Sequence, residues 1–173
     1  MVLQTSNITE QKKSKNNVAE VDLLGKERIC LIFRLGDEDF GLDVNVVREI
    51  VRVPPFITRV PNASHYIRGV INLRGTIVPV FDMELKIGIP LTQMTDEARI
   101  IVVTLNDVTF GIIVNAVREV ITIYESQIES ANQEFAGERR YVLGIAKPAD
   151  GRFIVLLDIY TLFDLDQILA EES

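Results

Sequence analysis

Between Arg28 and Asp158 the chain is written in short apolar runs separated by Gly, Asp and Asn, the pattern of strands joined by tight turns. Ile29 to Leu35 and Ile100 to Leu105 read as strands. Each is followed by a turn, Gly36-Asp37-Glu38-Asp39 or Asn106-Asp107, and then by a strand starting at Phe40 or Phe110, so each pair predicts a hairpin. Val44, Val47, Ile50 and Val51 fall at helical spacing behind Asp43, which predicts a capped helical turn between strands. In the second half Asn115 is the candidate cap. Arg74-Gly75 and Asp150-Gly151 read as tight turns feeding strands Thr76 to Phe81 and Phe153 to Leu157. Asp82 and Asp158 each precede a helical pattern: a short one stopped by Gly88, and a longer one over Ile159 to Glu172 with Ile159, Leu162, Phe163, Leu165, Ile168 and Leu169 largely on one face.

The pattern repeats. Phe40 to Val51 lies against Phe110 to Ile121 with seven of twelve positions identical at an offset of 70. Downstream, Tyr66 to Val70 answers Tyr141 to Ile145, and Gly75 to Asp82 answers Gly151 to Asp158, at offsets of 75 and 76. Duplicated segments imply duplicated structural units. Short strands with Gly turns favour small closed barrels, which leave no exposed strand edges. A half of about 60 to 70 residues is marginal alone, so the two units are expected to pack tightly against each other.

Charge and composition narrow the chemistry. There are 18 Lys and Arg against 25 Asp and Glu, a net charge of −7, which disfavours nucleic-acid phosphates as partners. No apolar run reaches the ~18 residues of a membrane helix, and the N-terminus lacks a signal-peptide core, so the expected location is the cytoplasm. Residues 1–26 carry little large apolar surface and read as a flexible tail with a Lys12, Lys13, Lys15 cluster. One Cys, one His and no Trp leave no disulfide framework and no zinc set. His65 lies in Asn62 to Gly69, which reads as a capped helical turn, and lacks a nucleophile elbow; Cys30 reads as a small buried hydrophobe. Phosphate-binding glycine loops are missing. Asp82 and Asp158 read as one helix-capping role used twice, with a catalytic carboxylate pair as the rival reading.

What stands out is Arg48, Arg52, Arg59, Arg68 and Arg74 between Val44 and Val80, against the single acid Glu49. Guanidinium groups suit bidentate contact with the carboxylates of a protein partner. The alternative is a scatter of solvated arginines with an internal Arg74 to Glu49 salt bridge. The turn Asn72-Leu73-Arg74-Gly75 has no arginine at its counterpart Ala146 to Gly151, so the two halves are expected to present unlike surfaces.

The string Gly69-Val70-Ile71-Asn72-Leu73-Arg74-Gly75-Thr76-Ile77-Val78-Pro79-Val80-Phe81-Asp82, preceded by Phe40-Gly41 and Val47-Arg48-Glu49-Ile50, closely resembles the CheW-like domain family of chemotaxis coupling proteins, over roughly Arg28 to Leu165. The resemblance implies a mainly β fold of two tandem five-stranded SH3-like β-barrels with pseudo-twofold symmetry, short helices and a C-terminal helix. It implies a CheW-like domain over 27–166, tandem or interleaved, with repeats near 29–90 and 98–158, and an acidic end within 159–173. It further implies an adaptor without catalysis, cofactor or metal, joining the cytoplasmic tips of methyl-accepting chemotaxis receptors to the regulatory domain of the histidine kinase CheA. Carried over, Arg74 and Glu49 belong to the receptor- or kinase-facing surface, shaped by Val47, Gly69, Asn72 and Gly75. The alternative is another scaffold or regulatory domain of two-component signalling. Val53-Pro54-Pro55-Phe56 and the lysine-bearing tail depart from the commoner members.

Overall fold

Two hairpins organise the molecule, and both are apolar on both faces. The computed structural model describes residues 25–131 and 140–163. The first hairpin is β1 (Glu27–Leu35) with β2 (Glu38–Asp43); the second is β6 (Arg99–Leu105) with β7 (Val108–Val114). Between them lie β3 (Val47–Arg52), β4 (Ile67–Leu73), β5 (Thr76–Asp82) and the helix α1 (Met83–Ile87). After β7 come β8 (Ala116–Tyr124), β9 (Ile128–Ser130), β10 (Val142–Ala146), β11 (Ile154–Leu157) and α2 (Ile159–Leu162).

Successive side chains of a strand point to opposite faces, and both faces are used. In β1, Cys30 and Ile32 enter a small cluster with Ile123, Ala146, Ile154 and Leu156. The alternate residues Leu31, Phe33 and Leu35 enter a larger central cluster. In β6, Ile100 and Val102 join Ile71, Val78, Val80 and Ile113, while Ile101, Val103 and Leu105 enter the same central cluster. Each sheet therefore wraps its own small core, and the two share a third. Phe81, Phe110 and Phe163 stand at its centre with ring centroids 4.7 to 5.4 Å apart.

The sheets do not follow the sequence copies. One orders its strands β3-β6-β7-β5-β4 and the other β8-β1-β2-β11-β10-β9. Each takes a hairpin from the other copy, so of the tandem and interleaved arrangements open to a duplicated chain, this one is interleaved. The exchange depends on parallel ladders, Val80 beside Gly111 and Leu156 beside Gly41, which alternation along the sequence does not encode. Substituting each strand by its repeat partner turns one order into the other. Even the irregularities correspond, with bulges that skip Arg48 and Arg118, and again Arg68 and Leu143. The sixth strand β9 has only a bridge, Thr58 to Val70, as its counterpart.

Several local expectations hold. Gly88 ends α1 in the left-handed conformation, and both Asp82 and Asp158 accept hydrogen bonds from the first-turn amides of their helices. Two do not. Asp43 caps the expected helical turn, but it is a single 3-10 turn at Val44–Val46, and Val47, Ile50 and Val51 beyond it form β3. Pairing with β6 overrides the helical spacing there. Asn115 caps nothing; its side-chain oxygen accepts from Gly36 N at 3.2 Å, tying β8 to the first hairpin. Residues Asn62 to Tyr66 form turns, not a capped helix, and β4 begins at Ile67. The expected tail lies outside the described residues up to position 24, as does the C-terminal pattern beyond Phe163.

Cys30 is buried, and desolvation, followed by the nearby Asp43 carboxylate, pushes its thiol pKa up to about 11. Since the thiolate is the reactive form, alkylation of the native protein at pH 8 should run about 100-fold slower than that of an unfolded thiol. Equal rates in native and urea-unfolded samples would contradict this placement. The raised pKa also lowers stability as pH climbs from about 9 toward 11, because only the unfolded thiol loses its proton in that window.

Candidate functional site

The turn between β4 and β5 has positive φ at both central residues, Arg74 at 52° and Gly75 at 87°, as in the type I′ turns that suit twisted hairpins. Gly75 is the residue such a turn wants, whereas arginine is strained in it. The other non-glycine residues with positive φ among those described are Asn62, Asn106 and Asp107, types that tolerate it. Asn72 holds the turn by accepting from Gly75 N at 2.8 Å. Behind it, Gly69 lets the Ile57–Thr58 segment pass so close that any Cβ would meet Thr58 O at 2.1 Å. Val47 is partly buried against the central cluster at the start of β3.

Arg74 Nη2 donates to Glu49 Oε2 at 2.8 Å. Glu49 lies on β3 and Arg74 on the β4–β5 tip, the two ends of the five-stranded order, so this pair bridges the ends of a curled sheet. The arginine is 78% exposed and the glutamate 20%. Arg74 is therefore both internally paired and solvent-facing, as the alternative reading of the arginines expects. Of the other arginines, Arg68 pairs with buried Asp82 at 3.1 Å. Arg48, Arg52 and Arg59 have no ion-pair partner among the described residues, and Arg48 and Arg52 flank exposed Ile50 on β3.

The second unit rebuilds this mouth with different positions. Glu119, the repeat partner of Glu49, pairs with Arg152, which also bonds Asp150 at 2.7 Å. Those hydrogen bonds, the Glu119 one first, raise the Arg152 pKa, and the Arg152 backbone N–H is the leading cause that lowers Asp150. Exposed Val120 and Phe153 occupy the places of exposed Ile50 and Ile77. Sequence comparison missed this pair because Arg152 aligns with Thr76, two positions past the place of Arg74. Aligning the β-hairpins by their glycines and asking which side of the strand each residue faces would have found it.

His65 is exposed and stands edge-on to Tyr66, and Asp82 is fully engaged by Arg68 and the α1 cap. Among the described residues no group of His, Cys, Asp and Glu could hold a metal ion, and no helix is long and apolar enough to cross a membrane.

The CheW-like domain profile matches residues 30–167, which is most of the chain. The chain belongs to the CheW family. CheW of Thermotoga maritima is 34% identical over 150 residues, covering 86% of this chain and 94% of that protein. CheW of Bacillus subtilis is 32% identical over 134 residues, covering 78% and 85%. Among solved structures, the scaffolding protein TtCheW of Thermoanaerobacter tengcongensis superposes with a TM-score of 0.72 at 35% identity, over 82% of this chain and 96% of that one. The interleaved pair of sheets is thus the CheW fold.

Proposed function

We propose that this chain is a chemotaxis coupling adaptor, a cytoplasmic scaffold that joins receptor tips to the kinase CheA and relays receptor state without catalysis of its own. The observation that carries the reading is the CheW match across residues 30–167, with relatives that are matched over most of their own length. The geometry suits the task. A shared core of large buried side chains holds two sheet units at a fixed angle, and each unit presents an outer mouth with an Arg–Glu pair and exposed apolar residues. Rigid elements keep binding surfaces in register better than loops do.

In this reading the first mouth is the receptor-facing surface. Arg74 and Glu49 supply its charges, Asn72 and Gly75 shape the turn that presents them, and Gly69 and Val47 hold the strands behind. The first unit is basic through Arg48, Arg52 and Arg59, whereas the second carries Asp37, Glu38 and Asp150 beside its mouth. Unlike charge on a shared plan is what an asymmetric connector requires.

The deciding experiment is a titration of the chain against the isolated regulatory domain of CheA, paired with co-sedimentation on receptor cytoplasmic fragments. Saturable binding to both is expected, together with a ternary complex. A chain that binds neither, under conditions where a known CheW binds both, overturns the proposal.

A further inference from the structure

The second unit carries a groove that the adaptor reading leaves unfilled. Phe153 is 66% exposed and stands between two adjoining cavities. One, of about 210 Å³, is lined by Val142, Ile145 and the Lys147–Glu129 ion pair; the other, of about 450 Å³, runs past Val155 to Asp37, Glu38 and Asp39. The parallel ladder between β11 and β2 sets Ile154 beside Asp39, so aromatic ring and acidic ledge are neighbours. The cations near the groove are already engaged: Arg152 by Glu119 and Asp150, Lys147 by Glu129, Arg34 by Asp39. Asp37 and Glu38 have no cation partner among the described residues.

The chain itself holds a segment of matching chemistry. Gln11-Lys12-Lys13-Ser14-Lys15-Asn16-Asn17-Val18 contains three lysines and no acid, and it is the only lysine cluster outside the described residues. It leads into β1, a strand of the same sheet as the groove. The nine residues of β1 extend about 30 Å from its start to the hairpin that bears Asp37. Lys12 lies thirteen Cα steps before Gly25, enough for about 45 Å of extended chain. We propose that Gln11–Val18 docks in cis across the Phe153 groove, its lysines on the Asp37–Glu38 ledge and Val18 against the apolar floor.

Docked there, the segment covers the apolar part of the second mouth and competes with any partner for it. Tethering keeps the local concentration of the lysines high even though each contact is weak. Because the contacts are solvent-exposed charge pairs, added salt releases the segment.

A nitroxide on Ser14→Cys tests this in the full chain. The native thiol Cys30 is buried and resists the label. Selective loss of amide peak intensity is expected at Asp37 to Asp39, Phe153 and Val155, unchanged on dilution and reversed by salt. The same loss should vanish in Lys12→Glu/Lys13→Glu/Lys15→Glu, a variant that touches no residue of either sheet. A mixture of unlabelled-spin isotope-enriched chains with spin-labelled unenriched chains supplies the control. Absence of selective loss overturns the proposal, and so does loss confined to the mixed sample, which assigns the groove to a second copy. None of these readouts involves CheA or a receptor, so failure here leaves the adaptor reading standing.

Discussion

Gly69→Ala destabilises the protein by about 3 kcal/mol or more, the combined result of steric overlap, backbone strain and the weakening of two hydrogen bonds. An ideal Cβ at this position falls 2.1 Å from Thr58 O and 3.0 Å from Ile57 Cγ2, and the backbone φ is +143°, where side chains are strained in any case. Relief requires the 57–58 segment to move away, which breaks the bridge in which Val70 N donates to Thr58 O at 2.8 Å and Thr58 N to Val70 O at 3.1 Å. Gly75→Ala is the internal control. It carries φ +87° but open space around the new methyl, so strain alone, about 1 kcal/mol, is expected. Urea denaturation of the two variants separates the causes. Equal midpoints would mean that the close approach at Thr58 is not holding the sheet.

The same device recurs at Gly144, whose Cβ would meet Glu129 O at 2.5 Å. The recurrence shows how far the duplication reaches into the structure. Periodicity and turn chemistry made the hairpins, the two aspartate caps and the Gly75 and Gly151 turns legible, because each depends on a few adjacent residues. The helical spacing after Asp43 misled for the opposite reason: strand pairing with β6 decides that segment, and β6 lies some fifty residues downstream. Hairpin exchange was equally invisible. Either copy of Phe-Gly can sit beside either copy of the Val-rich strand, and only the three-dimensional ladder says which does.

The candidate site was half legible. Arg74, Glu49, Asn72 and Gly75 come together as the motif suggested, while Arg68, itself exposed, is engaged by the buried Asp82 carboxylate. Asp82 is buried, and an unpaired carboxylate there would be costly, so Arg68 serves stability first. Glu119 with Arg152 escaped notice because function-like geometry was rebuilt from a neighbouring position. A mouth that keeps its ion pair while changing the residue that supplies it is evidence that the pair matters to both units. In the first unit it joins the two ends of a curled sheet, and in the second it ties the end strand β8 to the β10–β11 turn; its separate tasks follow from the different charges around it.

Arg74→Asn separates those tasks. Asparagine followed by glycine is the favoured pair for a turn with two positive φ values, so the substitution relieves backbone strain of about 1 kcal/mol. It also removes an exposed ion pair worth about 0.2–1 kcal/mol, leaving the melting temperature nearly unchanged or slightly raised. Receptor binding should nevertheless fall by about tenfold or more, as expected when a charge-assisted contact of about 1.5 kcal/mol or more is lost. Arg74→Glu goes further: it sets two carboxylates against each other at the mouth, and the binding loss should exceed that of Arg74→Asn while the circular dichroism spectrum stays native. Glu49→Arg combined with Arg74→Glu restores the intramolecular pair but inverts its direction. If the pair acts only as a clasp between sheet ends, this double variant binds receptor normally. If Arg74 meets a partner carboxylate, the double variant is as stable as the parent and still fails to bind, and that is the expected outcome. Parent-like receptor binding by the double variant would reduce Arg74 to a structural residue and move the docking surface elsewhere.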